Sequence, residues 1–594
     1  MKKRIVCLLI SMIFILGALA SCGENSQDDA LKDIQEEASK STITLSMYLV
    51  SENEISEDQE EKIEEAVNKI TKARFKTQLD LRFFTLNEYY TALEEDFVES
   101  KAQGGKTETS AEAGDQTNEE GELIYPAISD SQVDIFYVGG QAKFKQYMKA
   151  GYLQNLNDEV SNASKLLSSY ITPAYLSSMK ADNKGIYAIP TNKPIGEYTY
   201  LLLNKNVLKE MNYGTYGGNS DYSEFTSLVC DSCQDVLGYV DKYMSDEYVP
   251  LYSGTGEAYD LLNIRYFSTD FSYDEDGKID KNTLKNDYER FSLLSGSYDS
   301  EWNYGTEGEY SKFMNTFLNA EFTDQVKTLM SYKEAGYYAT EEEKDKDFAV
   351  GYVKGGAEII AKYGDEYEIV PVAMPALETA DLYSDMFAVN KSSTSVSRSM
   401  EIVTYLNTNA DFRNLLLYGI EGENYMLKEY KEKDITGSTK TYYTVQRLNK
   451  DYLMDVNKTG NVLLAYPLED ANEAYNIREY QMQQNRDAKL SLVFGFDVAN
   501  SGYGLNAGLM EELKAKSAEY YDKMVACKTV EELEAFFSKA FIEVNSLNSI
   551  IIHGNSSYTP ALGEEYDEDT YGEGSSLAAI YEEWLTKIGC VIKG

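Results

Sequence analysis

Hydrophobic and polar residues alternate along the chain in a way that predicts strands and helices in regular succession. The stretch STITLSMYLV (41–50) alternates apolar and polar positions, which is typical of a strand. In the following EDQEEKIEEAVNKITKARF, apolar residues recur at helical spacing, and four fall on one face: Ile63, Ala66, Val67 and Ile70. QLDLRFF, LNEYYTALEEDFVES and QVDIFYVGG then predict a strand, a helix and a buried strand. This order predicts an α/β unit with a largely parallel sheet.

The N-terminus has the features of a processed export signal. Basic residues at 2–4 precede an apolar run at 5–20, and the following LASC, ending at Cys22, resembles the bacterial lipobox. An ordinary signal peptide with an incidental cysteine is the alternative. Acylation of Cys22 with palmitate-type chains would supply two anchors, enough for stable membrane attachment. We therefore expect a signal peptide at 1–21, a flexible acidic tether at 22–41, and a lipoprotein on the extracellular face of the cell membrane.

Composition narrows the possible chemistry. The formal net charge of −44 disfavours nucleic acid and anionic lipid surfaces as partners. Tyrosine is abundant, at 50 residues, and its ring suits sugar binding, although tyrosine is also common in strands. His553 is the single histidine, and no Walker-type loop, zincin motif or Gly-x-Ser-x-Gly motif occurs. We therefore predict a protein that is not an enzyme and needs neither cofactor nor metal.

Cys230 and Cys233 form a C-x-x-C motif, but no second pair offers the spacing of a zinc site. A redox-active pair is expected between a strand and a helix, whereas the surrounding SLVCDSCQDVLGYVDKY has helical character. This context favours a local disulfide or two free thiols over a redox site.

The order of several stretches resembles that of extracellular solute-binding lipoproteins of bacterial ABC importers, in particular the family 1 carbohydrate-binding group related to maltodextrin-binding proteins. The matching stretches include VDIFYVGG with YMKAGYLQNLND, KGIYAIP with GEYTYLLLNKNVL, and MFAVNKSSTSVSRSMEIVTYLN. LLLYGIEGENYML (415–427), GNVLLAYP and IIIHGNSSYTPALGEEY look like a long-chain branch found in Gram-positive bacteria. The acidic low-complexity stretch at 101–122 departs from the family pattern and predicts a disordered surface insertion.

The resemblance implies an α/β, two-lobe periplasmic-binding-protein-like fold of type II, with a ligand cleft between lobes that close about hinges. It also implies a monomer that delivers a carbohydrate to ABC transporter permease subunits. The predicted divisions after the tether are lobe 1 at 42–200 with its insertion, lobe 2 at 201–379, a return to lobe 1 at 380–420, and C-terminal helical segments, mostly in lobe 2, at 421–594.

Sugar recognition requires aromatic faces and paired polar groups in a concave site, and ligands of α/β sheets lie beyond the carboxyl ends of strands. These requirements and the resemblance select ten candidate ligand-binding residues: Glu52, Asn53, Gly140, Gln141, Asn192, Glu197, Tyr198, Trp302, Tyr352 and Asp385.

Glu197 is the sharpest of these candidates. It lies seven residues before Asn204-Lys205, a spacing that a cleft glutamate of maltodextrin-binding relatives keeps. A hinge or surface carboxylate is the alternative. The loop with Glu52 and Asn53 could instead serve only to begin the next helix. Trp302 could equally lie in a core.

The predicted function is capture of a carbohydrate, most simply an oligosaccharide, by lobe closure and delivery to an importer. A surface lipoprotein that binds peptide, senses or scaffolds is the alternative. A glycoside hydrolase would need two carboxylates at a set separation, and 99 acidic residues make any one pair uninformative.

Overall fold

The computed structural model describes residues 42–102, 124–125, 131–167, 171, 179–180, 184–213, 222–253, 264–270, 285–287, 291–296, 313–340, 343, 346–434, 437–471, 473–491, 507–553, 577 and 581. The predicted signal peptide with Cys22, the tether, Trp302 and nearly all of the 101–122 insertion lie outside these residues.

Strands within the described residues, in chain order, are β1 Thr42–Ser51, β2 Thr77–Thr85, β3 Ile124–Tyr125, β4 Ile135–Val138, β5 Ile189–Pro190, β6 Tyr198–Asn204, β7 Val249–Tyr252, β8 Arg265–Tyr266, β9 Ser268–Asp270, β10 Lys285–Asp287, β11 Leu294–Gly296, β12 Phe313–Asn315, β13 Phe348–Gly355, β14 Tyr367–Ala373, β15 Ala376–Leu377, β16 Met386–Val389, β17 Tyr425–Lys433, β18 Thr439–Arg447 and β19 Lys489–Leu490.

Helices within the same residues are α1 Glu57–Phe75, α2 Leu86–Ala102, α3 Gln141–Ala150, α4 Asn157–Leu167, α5 Lys205–Glu210, α6 Asp231–Tyr243, α7 Ala320–Glu334, α8 Glu358–Tyr363, α9 Thr379–Ser384, α10 Val396–Thr408, α11 Ala410–Tyr418, α12 Ile477–Asp487, α13 Ala507–Ala526 and α14 Val530–His553. In this described part of the chain, no helix combines the length and apolar character needed to cross a membrane.

The first sheet has the strand order β2-β1-β4-β16-β5, with β3 paired to the start of β1. β1 runs parallel to β2 and to β4, as the alternation of strands and helices predicts. β16 departs from this arrangement, because it returns from the second half of the chain and lies antiparallel between β4 and β5.

Helix α1 shows how the apolar pattern positions an element on this sheet. Ile63 and Val67 are fully buried, while Ala66 and Ile70 lie half-buried at the margin of the predicted face. The helix ends at Phe75, and the left-handed backbone of Lys76 (φ 50°) turns the chain directly into β2. The apolar face of the helix therefore packs on the sheet, and the helix connects β1 to β2, which lies parallel beside it.

The second sheet has the order β14-β6-β13-β7. β6 is antiparallel to both of its neighbours, and β7 is parallel to β13. All four strands lie within residues 198–373, which nearly coincide with the region 201–379 that the sequence assigns to a second lobe.

Buried apolar residues form two large cores. The first contains residues from 43–195 and 377–465, and the second contains residues from 201–352 and 510–581. A small cluster around Tyr198, Tyr200 and Phe348 covers the other face of the second sheet. The predicted α/β fold with two lobes is confirmed by these two cores, each assembled from segments distant in sequence.

The segment 421–594 differs from its predicted helical character. It begins with a long hairpin in which β17 and β18 pair antiparallel along their whole length. Tyr425, Val445 and Tyr452 belong to the first core, whereas α13 and α14 contribute to the second. Most residues of YMLKEYKEK are exposed, and charged residues point to both faces of this two-stranded ribbon. Apolar and polar positions therefore do not alternate, and the sequence lacks a clear strand signature there.

Candidate ligand-binding site

One edge of the first sheet collects polar residues from three strands. The carboxyl ends of β4 and β5 and the amino end of β16 meet there, because Met386 pairs with both Val138 and Pro190. Residues that follow β4 and β5 therefore lie beside Asp385, which precedes β16. This is the edge at which α/β sheets place their ligands.

Asp385 is the centre of this edge. Its carboxylate accepts a hydrogen bond from the Tyr137 hydroxyl at 2.8 Å and forms a salt bridge with Lys193 at 3.1 Å. Its backbone carbonyl accepts the N–H of Thr191 at 2.9 Å. Only 8 % of Asp385 is exposed, so the partners hold the carboxylate in one orientation.

Two tyrosine hydroxyls beside Asp385 remain protonated at physiological pH. Burial, and then the charge of Asp385, raises the pKa of Tyr137. Burial likewise raises the pKa of Tyr90, whose hydroxyl accepts the Gly139 N–H at 3.2 Å. The edge therefore presents neutral hydroxyls next to a carboxylate and an ammonium group.

The glycine pair after β4 has a structural role. A Cβ on Gly139 would lie 2.4 Å from the Tyr137 hydroxyl oxygen, so a side chain would displace that hydroxyl. Gly140 adopts φ 86°, and its N–H donates to the carbonyl of Tyr383 at 2.8 Å. Gln141 follows, half-buried, at the start of α3. The tight turn is thus accounted for, and ligand contact by Gly140 or Gln141 stays a prediction.

Three stretches of chain connect the two cores, and we call their described parts the crossing segments: 191–197, 374–385 and 488–491. The second and third pair through β15 and β19, which run parallel, and the Ser491 N–H donates to Leu377 at 3.0 Å. Gly196 adopts φ 54° and packs so closely that a Cβ would lie 2.4 Å from the Ala376 carbonyl oxygen. The three crossings therefore touch one another at one place.

Helix α12 fastens the first crossing segment. Asn485 accepts the Ile195 N–H at 2.9 Å and donates to the Lys193 carbonyl at 2.9 Å. Gln484 donates to the carbonyls of Ile195 at 3.1 Å and Gly196 at 2.6 Å. Asn485 also lies 3.4 Å from the side-chain oxygen of Asn192, a predicted site residue. The amide side chains of α12 thus hold the backbone on which the candidate residues stand.

Glu197 is the last residue of the first crossing segment, and Tyr198 is the first residue of β6. Glu197 is exposed, whereas Tyr198 is buried and donates its hydroxyl to Asp487 at 2.7 Å. The Tyr198 ring stacks on Tyr200, with centroids 4.9 Å apart and planes at 29°. Burial and the bond to Asp487 raise the pKa of Tyr198, which keeps the hydroxyl a donor.

Three buried polar atoms on or beside the first crossing segment have no hydrogen-bond partner within the described residues. They are the hydroxyl oxygens of Thr191, on that segment, and Tyr200, on β6, and the side-chain carbonyl oxygen of Gln484, on α12. Each of these residues is at most 3 % exposed. Buried polar atoms are normally satisfied, so each of these oxygens is a candidate for bonding to a ligand or an ordered water.

Other predicted residues lie elsewhere. The Glu52 N–H donates to the Leu453 carbonyl, and Asn53 accepts the Leu453 N–H at 3.1 Å and donates to Lys450. Their loop is therefore tied to the chain that follows the hairpin. Tyr352 is 5 % exposed and its ring belongs to the second core, so it does not offer a face for stacking in this conformation.

The residues that sequence reasoning missed come mainly from α12 and its surroundings: Tyr90, Lys193, Gln484, Asn485 and Asp487. The sequence IREYQMQQNRD is a polar helix with no marker that distinguishes its inward amides. A cluster of three or more His, Cys, Asp or Glu side chains suited to a metal ion is not found among the described residues.

Comparison with known proteins provides two sequence relatives, and the chain matches no protein-family model. A carbohydrate ABC transporter substrate-binding protein from Streptococcus pneumoniae serotype 4 is 24% identical over 222 residues, covering 35% of this chain and 44% of that protein. A probable aminopeptidase 1 from Saccharolobus solfataricus is 31% identical over 165 residues, covering 27% of this chain and 19% of that protein. The chain therefore matches less than half the length of either relative.

Solved structures add further neighbours. The N-glycan transport solute-binding protein NgtS from Streptococcus pneumoniae is 19% identical, with a TM-score of 0.46, over 86% of this chain and 97% of that one. An extracellular solute-binding protein from Bifidobacterium longum subsp. infantis is 12% identical, with a TM-score of 0.41, over 92% and 98%. The chain is thus similar in sequence to part of a carbohydrate ABC transporter substrate-binding protein, and in structure to two solute-binding proteins. The aminopeptidase match is not accompanied by the two-histidine motif of zinc peptidases, because this sequence contains a single histidine.

Proposed function

We propose that this protein is the extracellular binding component of a carbohydrate ABC importer, and that it captures an oligosaccharide between its two lobes. The sequence relative from Streptococcus pneumoniae supports this class of function, since its name gives a carbohydrate ABC transporter substrate-binding protein. The permease subunits that would receive the sugar are part of the proposal.

The observation that carries the proposal is a set of open polar groups on and beside the crossing segments. The oxygens of Thr191, Tyr200 and Gln484 lack partners within the described residues, and the ion pair of Lys193 with Asp385 joins the first crossing segment to the second. A sugar ring offers several hydroxyls that donate and accept at once. Such a ligand would satisfy hydroxyl and amide oxygens together, whereas an apolar ligand would leave them unpaired.

The positions of these polar groups on the two sheets support closure of the lobes around the ligand. Asp385 and Thr191 lie at the edge of the first sheet, while Tyr198 and Tyr200 begin the second. A ligand that contacts both sets gains its full binding energy only in the arrangement that brings them together, so binding favours one relative position of the lobes. The three crossing segments would act as the hinges.

Membrane attachment is a separate part of the proposal. The lipobox-like LASC sequence supports acylation at Cys22, removal of residues 1–21, and attachment to the outer face of the cell membrane. That the attached protein is a monomer is part of the proposal.

A thermal-shift screen of the purified protein against mono- and oligosaccharides and short peptides tests the proposed function. A ligand that binds only the folded state raises the unfolding temperature in proportion to the logarithm of its concentration over Kd. We expect a shift with one oligosaccharide series and no new product on incubation. Shifts with peptides alone would overturn the carbohydrate assignment, and product formation would indicate an enzyme.

A further inference from the structure

The C-x-x-C motif occupies the first turn of a helix rather than its interior. Cys230 is the N-cap of α6, and the described residues before it, 222–230, form turns and bends. The helical context that the sequence suggests is therefore present only after Cys230. Cys233 lies one turn into the helix. The sequence did not predict a helix start at the motif, but two free thiols, one of the two states that it favoured, are what the structure has.

The two cysteines differ in exposure. Cys230 is half-buried and reaches the surface, whereas Cys233 is fully buried in the second core. Both are free thiols in this structure. A dithiol in which one sulfur is accessible and the other lies behind it has the arrangement needed for stepwise attack and resolution.

The surroundings favour a thiolate at Cys230. A hydrogen bond from the Cys233 thiol, opposed by burial and aided by backbone N–H groups of residues 226, 227 and 233, lowers the pKa of Cys230 to about 5. The same hydrogen bond, together with burial, raises the pKa of Cys233. The positive end of the α6 dipole acts in the same direction on the N-cap sulfur.

The charged and titratable groups that face the pair come from four elements. They are Asp231 on α6, Tyr213 after α5, Tyr332 on α7 and Tyr352 on β13. These groups are a carboxylate and three phenols, so the preference for a thiolate comes from the hydrogen bonds and the helix terminus.

We propose that Cys230 and Cys233 form a thiol–disulfide exchange site that low-molecular-weight disulfides oxidise. The Cys230 thiolate attacks one sulfur of the external disulfide, a new S–S bond forms, and one external thiolate leaves. Cys233 then gives up its proton, attacks the Cys230 sulfur and expels the second external thiolate. Two protein thiols become one disulfide, and the external disulfide is reduced to two thiols, which take up the proton of Cys233 and one from solvent.

The test uses the purified full-length protein, glutathione buffers and peptide-level mass spectrometry. With oxidised glutathione, we expect the peptide spanning Cys230 and Cys233 to lose two hydrogens as the disulfide forms. In Cys233→Ser the resolving thiol is missing, so one glutathione should remain on Cys230. Cys527 is the matched control, since it is half-buried and burial raises its pKa. Glutathione adducts on Cys527 as fast as on Cys230 would overturn the proposal.

A measurement on the unmodified sequence keeps the test decisive if the buried Cys233→Ser change impairs folding. The rate of Cys230 alkylation by iodoacetamide should level off above a midpoint near pH 5, while the rate at Cys527 should still rise through pH 9. Parallel pH profiles at the two thiols, or absence of the intramolecular disulfide in oxidised glutathione, would contradict the proposal. Neither result bears on sugar binding, so the two proposals fail independently.

Discussion

Among single residues, Asp134 is the most constrained carboxylate of the first core. It is fully buried and accepts hydrogen bonds from Ser393 Oγ at 2.6 Å, the Thr394 N–H at 2.7 Å, the Ser46 N–H at 2.9 Å and the Gln132 amide. It therefore joins β1, the approach to β4 and the loop after β16 in one network.

We predict that Asp134→Asn lowers the free energy of unfolding by about 2–4 kcal/mol at neutral pH, because the NH2 group that replaces one carboxylate oxygen faces hydrogen-bond donors and cannot accept from them. Urea unfolding measures the change, and Asp58→Asn, at a side chain 80% exposed, is the control. Equal stability of the two variants would contradict the assignment.

Asp134 also gives a pH dependence with a defined sign. Burial raises its pKa, and the four donors oppose that shift without cancelling it. A raised folded-state pKa means that the folded protein holds the proton more tightly than the unfolded chain. The contribution of Asp134 to the free energy of unfolding is therefore largest at low pH and decreases as pH rises through the folded-state pKa. The Asn variant should lack this decrease.

Glu197 supports a second prediction at the residue scale. Replacing it by Ala should weaken binding of the sugar found in the thermal-shift screen by about 1.5–3 kcal/mol, the value of a hydrogen bond to a charged group. Calorimetric titration gives the affinity. Because Glu197 is exposed, the unfolding temperature without ligand should barely change. Glu65→Ala, at a side chain 71% exposed on α1, is the control, and unchanged affinity would remove Glu197 from the site.

Among elements, α12 has the clearest mechanical role, since its amides hold the first crossing segment. We predict that Asn485→Ala lowers the free energy of unfolding by about 1–3 kcal/mol, because it removes bonds to Ile195 and Lys193. It should also weaken sugar binding by loosening the crossing. Urea unfolding measures the change in stability, and calorimetric titration measures the change in affinity.

Met482→Ala, at a position of α12 that is 37% exposed, controls for the change in the helix itself. A loss no greater than that of Met482→Ala would show that α12 does not hold the crossing.

At the scale of the whole molecule, local pattern predicts much of the fold. β1, α1 and β2 follow from alternation and helical spacing, because each packs one face against the first core. Gly151 ends α3 with φ 76°, as its position predicts. These elements depend on neighbours in sequence and on one apolar face, so the sequence carries their signal.

The site depends instead on contacts between distant segments. Gln484 and Asn485 reach Ile195 across nearly 300 residues of chain, with separations of 289 and 290. Tyr352 follows the alternation of β13, but which face of that strand is covered depends on α6, which packs against the strand and which the local pattern does not reveal. The β17–β18 hairpin was missed for a related reason. Its exposed, charged residues remove the alternation of apolar and polar positions by which a strand is predicted. Which group a polar side chain bonds to is determined only in the folded protein.

The position of β16 between β4 and β5 has a consequence for biogenesis. β5 ends at Pro190, yet its neighbour in the sheet is not synthesised until Phe387 and Met386 have been added. The first lobe therefore cannot finish its sheet while only its N-terminal half exists, and ordering it requires closure of a very long loop. A chain that emerges from the ribosome N-terminus first therefore stays incompletely folded over that interval.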